Sequence, residues 1–203
     1  MEENDKVLES FDEGQSIQVI KEMIQVSQKS FKNDGILFLL WGWLMFISYV
    51  TNYIMYNIVI TRQMERISQD LRFAITIIAI IYTLYYVFKK SKKVKTYIGI
   101  SLKYVWISLS VSLVLSSMII HNVLQQTNFE LLHPIFMMFL AFAIVVTGGI
   151  LRYKLVIIGG VVFGALAYTS SFFSLEIQML FEAAAWLVAF IVPGHLLYAK
   201  RKQ

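Results

Sequence analysis

Hydrophobic and polar positions along the chain alternate as long apolar runs separated by short polar breaks. Six runs stand out, at about 36–60, 71–88, 104–124, 134–151, 155–174 and 177–198. Each is close to the ~20 residues that a helix needs to cross a hydrocarbon core of roughly 30 Å. The run 71–88 is the shortest, and tilt or snorkelling of Arg72 and Lys89 would extend its reach. Runs four and five meet at Leu151-Arg-Tyr-Lys154, which leaves room only for a helical hairpin. The pattern predicts an all-α membrane protein, with six transmembrane helices in residues 35–199.

Ahead of the first run the period changes. Residues 1–15 are acidic and polar, and Ser16 suits an N-cap for a helix running to about Asn33. Ile17, Ile20, Met23, Ile24 and Phe31 fall on one face, with Gln18, Lys21, Glu22, Gln25 and Lys29 on the other. This predicts an amphipathic helix over 16–33 within a segment 1–34, lying on the membrane surface or docking a protein partner. Asn33-Asp34-Gly35 breaks it. The acidic opening carries no apolar core, so no signal peptide is expected.

Composition supports the class. Hydrophobic residues make up 58% of the 203 and charged residues 15%, with mean hydropathy +0.65. A soluble domain carries about 25% charged residues, and one ordinary core could not hide this much apolar surface from water. The lipid bilayer is therefore the first partner. The net charge of +5 does not point to nucleic acid, because the basic residues sit at the ends of apolar runs. There is no cysteine, which excludes disulfides and thiolate metal sites.

Charge also predicts orientation. Lys89-Lys-Ser-Lys-Lys-Val-Lys95 lies in a stretch without an acidic residue from Leu71 to Phe129. With the N-terminus inside, fifteen Lys and Arg fall on inner segments, including Arg152, Lys154 and the basic tail 200–203. Only Arg62, Arg66 and Arg72 fall outside. This bias predicts that both ends are cytoplasmic.

Small residues mark candidate packing faces: Ser108, Ser112 and Ser116, Gly160 with Gly164, and Ala185 with Ala189 in line with Gln178 and Glu182. Each reads first as a face within the monomer; a homodimer is the alternative. Pro193-Gly194 predicts a kink near the inner end of the sixth run. No catalytic, nucleotide-binding or metal motif occurs, so no enzyme, cofactor or metal is expected. Glu182 stands out, about six residues into its run and so roughly 9 Å deep. Asn52 and His121 reach a similar depth, and Arg72 and His133 open the second and fourth runs from the same side, giving a candidate intramembrane polar layer of Asn52, Arg72, His121, His133 and Glu182. The simpler reading is that Glu182 pairs with Arg72 or a histidine and ties helices together; the sharper one is a proton- or cation-coupled site.

The runs Ser16-Ile-Gln-Val-Ile-Lys-Glu-Met23 and Phe38-Leu-Leu-Trp-Gly-Trp-Leu44 resemble the start of a family of uncharacterised bacterial six-span integral membrane proteins. Ile157-Ile-Gly-Gly160 and Ile191-Val-Pro-Gly-His-Leu-Leu197 resemble its fifth span and tail. The resemblance covers most of the chain and implies the cytoplasmic (inner) membrane, without an activity or catalytic residues. The expected function is a non-enzymatic adaptor or sensor whose cytoplasmic face meets a protein partner. The alternative is a small transporter or channel using the outer-leaflet polar layer around Glu182; an enzyme acting on lipid ranks third.

Overall fold

The computed structural model describes Gln18 and residues 35–58, 62–91 and 97–200. The expected N-terminal amphipathic helix, apart from Gln18, lies outside the described residues, as do the lysines of 92–96 and residues 201–203. The helices are α1 (Gly35–Asn57), α2 (Arg62–Ser91), α3 (Tyr97–Leu124), α4 (Phe129–Leu151), α5 (Lys154–Ser170), α6 (Leu175–Trp186) and α7 (Val192–Lys200). A π-helical turn, Leu187–Ile191, joins α6 to α7 as one rod. No strand occurs among the described residues.

Among the described residues five helices are long and apolar enough to cross a membrane: Gly35–Asn57, Arg66–Tyr86, Gly99–Leu124, Phe129–Leu151 and Leu175–Ala199. The fifth apolar run behaves differently. Its helix stops at Ser170 after 17 residues, about 25 Å at 1.5 Å per residue. Val156, Gly159, Gly160, Phe163, Ala167 and Ser170 are buried, so much of its surface meets protein. The second run departs the other way, its helix starting at Arg62, well ahead of residue 71.

Close contact of α4 and α5 is dictated locally. Asn128 caps α4, its side chain accepting from the Leu131 N–H at 3.0 Å. At the other end Arg152 adopts a left-handed conformation (φ 50°), and Tyr153 N–H donates to the Gly148 carbonyl at 2.9 Å. The chain therefore turns at Arg152-Tyr153, the tight hairpin expected there. A Cβ on Gly148 would come within 2.8 Å of the Ile157 nitrogen, and one on Gly160 within 2.9 Å of the Val145 nitrogen. The Gly160/Gly164 pair thus faces α4 inside the monomer.

The rod is held on two sides. A Cβ on Gly159 of α5 would lie 2.9 Å from the Ala189 Cα. Across the other side, a Cβ on Gly42 would meet Phe190 and Ile191, and one on Gly35 would lie 2.9 Å from the Gly194 carbonyl oxygen. Along the rod Gln178, Glu182, Ala185 and Ala189 are all at most 2% exposed, one continuous buried face. Trp186 anchors the core between Phe163 (ring centroids 5.8 Å) and Phe190 (4.4 Å).

Backbone irregularity in the rod lies upstream of Pro193-Gly194, where a kink was expected. Pro193 cannot donate to the Ala189 carbonyl, and the preceding turn widens, with Val192 N–H bonded to the Leu187 carbonyl five residues back. The His195 ring adds a bond from Nδ1 to the Ile191 carbonyl at 2.9 Å.

Two helices sit at the margins. α2 packs on α1 and α3 on α4, and among the described residues Ala79 and Leu109 are the one buried hydrophobic residue of each. The serine face expected on α3 holds only in part: Ser112 and Ser116 are half-buried but Ser108 is exposed. Phe73, Ile78, Val114 and Ile119 are 60–70% exposed, an apolar surface of the kind a bilayer covers.

The glycine contacts generate a paired prediction. Gly148→Ala should lower stability in detergent by roughly 1–3 kcal/mol, the cost of overpacking against fixed backbone. Its neighbour Gly149, where a Cβ meets nothing within 4 Å, should accept alanine neutrally or gain up to about 1 kcal/mol from helix propensity. Thermal unfolding of the two variants checks this, and equal losses would contradict the crossing geometry.

Candidate functional site

All the polar groups of interest gather at one end of the bundle, where α1 ends, α2 begins, α4 begins and α6 begins. The arrangement starts with a proline. Pro134, inside α4, has no N–H and leaves the Glu130 carbonyl without its i+4 donor. Gln178, 1% exposed on α6, fills that vacancy: its Nε2 donates to the Glu130 carbonyl at 3.1 Å and to the Phe173 carbonyl at 2.9 Å. This fastens the first turns of α4 and α6 together.

One turn further along each helix is the central contact. His133 Nδ1 lies 2.7 Å from Glu182 Oε2, with the histidine side chain 22% exposed and the glutamate 3%. A carboxyl group in such a place is costly without a partner, and here the partner is an imidazole from the neighbouring helix. Tyr49 of α1 completes the group. Its hydroxyl is hydrogen-bonded to the Glu182 carboxylate, and its ring meets His133 edge-on at 6.1 Å and 76°. Three helices thus converge on one carboxylate.

Tyr49 also forms a wall of a cleft of about 300 Å³ between α1 and α2. Ser48 and Asn52 line it from α1; Gln69, Arg72 and Thr76 line it from α2; Met45 and Phe73 add apolar surface. The Arg72 guanidinium donates to Asn52 Oδ1, and the Thr76 hydroxyl donates to the Arg72 carbonyl at 2.8 Å.

The candidate layer is therefore partly assembled and partly divided. Glu182 and His133 are paired, Arg72 and Asn52 are paired, and Tyr49 stands between the two pairs. His121 is exposed in the last turn of α3, and among the described residues no hydrogen bond or ion pair joins it to the other four. Tyr49 was not among the candidates. A signal was present, since it lies three residues before Asn52 on the same helical face. Glu182 pairs with a histidine rather than with Arg72, as the simpler reading allowed.

Chemically, a 2.7 Å imidazole–carboxyl contact can hold a proton and move it between two heavy atoms. The nearby buried hydroxyl of Ser170 donates to the Ala167 carbonyl at 2.8 Å. Among the described residues no three His, Cys, Asp or Glu side chains gather closely enough to hold a metal ion.

The chain matches no protein-family model, no curated protein and no solved structure. The site's geometry is therefore the basis for function.

Two substitutions at Glu182 separate its roles. Glu182→Gln keeps a group that can accept from His133 and Tyr49 and should cost less than about 1 kcal/mol in detergent stability. Glu182→Leu strands both partners and should cost about 1–2 kcal/mol. Thermal melts of both variants would show this order. If Leu is tolerated as well as Gln, the pair does not hold α4 to α6.

Proposed function

We propose that the chain is a six-span protein of the cytoplasmic membrane, with both ends in the cytoplasm, acting as a non-enzymatic sensor or adaptor. The observation that carries this reading is the rod α6–π–α7. It bears Glu182 near one end of the bundle, and at the other end its Gly194 lies against Gly35. Gly35 directly follows the segment expected to form the amphipathic helix. A change of pairing at Glu182 would thus act on a helix whose far end touches the base of the cytoplasmic segment. Lys89–Lys95 and the basic tail add to the inner surface that a protein partner would meet.

The fifth span is the short α5, which suits a crossing helix whose length is completed by snorkelling of Lys154 and by local thinning. A small transporter or channel is the second reading, favoured by the cleft that adjoins Tyr49. The motifs resembling uncharacterised six-span proteins support the inner-membrane location and add no activity.

Single-cysteine labelling of intact cells tests the topology. Positions in 125–130 and 171–175 should react with an impermeant reagent, and positions in 91–96 should not. Ready external labelling at position 91 would invert the orientation. For function, deletion of residues 1–33 should leave the helical body inserted but abolish co-purification of a stoichiometric soluble partner. Solute uptake by proteoliposomes, lost in Glu182→Gln, would instead establish the transporter reading.

A further inference from the structure

The geometry points to the cleft between α1 and α2 as a binding site for the headgroup of an anionic phospholipid. Three observations lead there. The first is position. Polar residues fill the start of α2 up to Asp70, and from Leu71 the helix is largely apolar, so Arg72 sits at the change from one to the other. That level on a crossing helix is where lipid phosphates lie.

The second is chemistry. None of the lining residues is acidic, and Arg72 is the cation among them. A guanidinium is a planar fork of five N–H donors matched to phosphate oxygens. Asn52 Oδ1 accepts from Arg72, which holds that fork from α1. Ser48 supplies a hydroxyl on the same wall. An anion here would meet donors from two helices.

The third is shape. The cleft holds about 300 Å³, small for a drug-sized ligand and suited to a phosphate with part of its glycerol. It runs along the α1–α2 seam, and Phe73 at its edge is 70% exposed. A soluble anion has no use for that apolar rim; an acyl chain does. Because Tyr49 lines the cleft and bonds Glu182, a bound headgroup would neighbour the Glu182–His133 pair through one shared side chain. The site does not depend on the sensor reading, since its test reads binding alone.

The test uses the full-length protein in a mild neutral detergent, titrated separately with phosphatidylglycerol, phosphatidylcholine and inorganic phosphate. Native mass spectrometry counts bound lipid, and thermal melts report stabilisation. Phosphatidylglycerol should bind at least about tenfold more tightly than phosphatidylcholine, the scale of one charge-assisted contact. Arg72→Gln should erase that preference, whereas Arg66→Gln, on the same helix outside the cleft, should keep it. Ser48→Phe, which fills the cleft and leaves Arg72 in place, should also erase it, so the outcome does not hang on one variant folding. Equal binding of the two lipids, or equal loss in Arg66→Gln and Arg72→Gln, would overturn the proposal. Protection by inorganic phosphate as strong as by phosphatidylglycerol would also overturn it, showing a soluble-anion site.

Discussion

Hydrocarbon offers no hydrogen bonds, so each polar group that a membrane bundle hides has to be answered from within the protein. That constraint explains the polar end of this molecule. Pro134 removes a backbone donor; the Glu130 carbonyl this frees is taken by Gln178; and Gln178 sits one turn from Glu182, which pairs with His133, one residue before the proline. The five residues lie on two facing helix turns and satisfy one another. Side chains alone do not close the set: Gln178 Oε1 and Trp186 Nε1, one turn to either side of Glu182, are buried without a protein partner. The buried polar strip on α6 is therefore longer than its one ionisable residue.

Such polar ties work only where backbones come close, and glycine sets that distance. Lipid is as apolar as leucine, so helices gain from association mainly through van der Waals packing and interhelical bonds. Gly148 and Gly160 bring α4 onto α5, Gly159 brings α5 onto the π-helical turn, and Gly35, Gly42 and Gly194 bring α1 onto the rod. With those approaches made, Ala185 and Ala189 are fully buried and the aromatic set Phe163, Trp186 and Phe190 packs as the core. The π-helical turn belongs to the same geometry, since a wider turn before Pro193 relieves the loss of its N–H while Ala189 stays against Gly159.

Helix number and the α4–α5 hairpin were legible because long apolar runs and a four-residue break leave few alternatives. Five of the six runs gave helices of crossing length. The fifth fell short because Ser170–Ser174 turns rather than continuing as helix, and apolar content alone does not register that. Glu182 was legible as a carboxyl group within a long apolar run, and His133 as one of several polar groups at the same end of the bundle. Depth matching says nothing about lateral position. It therefore grouped His121, on marginal α3, with residues of the core helices, and it left Arg72 and the histidines as equal candidates to partner Glu182. Tyr49 escaped because the depth argument was confined to ionisable, imidazole and amide side chains, and a tyrosine within an apolar run carries no such mark. Ser108 escaped correction for a related reason, since a four-residue serine spacing defines a stripe without saying which way it faces.

The same packing makes one seam softer than the rest. α4, α5, α1 and the rod enclose one another, while α2 lies along α1 with Ala79 the one buried hydrophobic residue among its described side chains. Side-chain bonds that tie α2 to α1 include Trp41 Nε1 to Thr83 Oγ1 at 3.0 Å, and Arg72 to Asn52. Interhelical bonds of this kind in membranes are worth about 0.6 kcal/mol on average, with the strongest near 1.7. Little described apolar surface of α2 is buried, so those bonds carry a larger share of its attachment to α1 than side-chain bonds do elsewhere in the bundle. The cleft lies on that seam, beside the tyrosine that touches Glu182. Whatever loads the cleft acts on the least constrained helix contact in the bundle and abuts its most buried carboxylate.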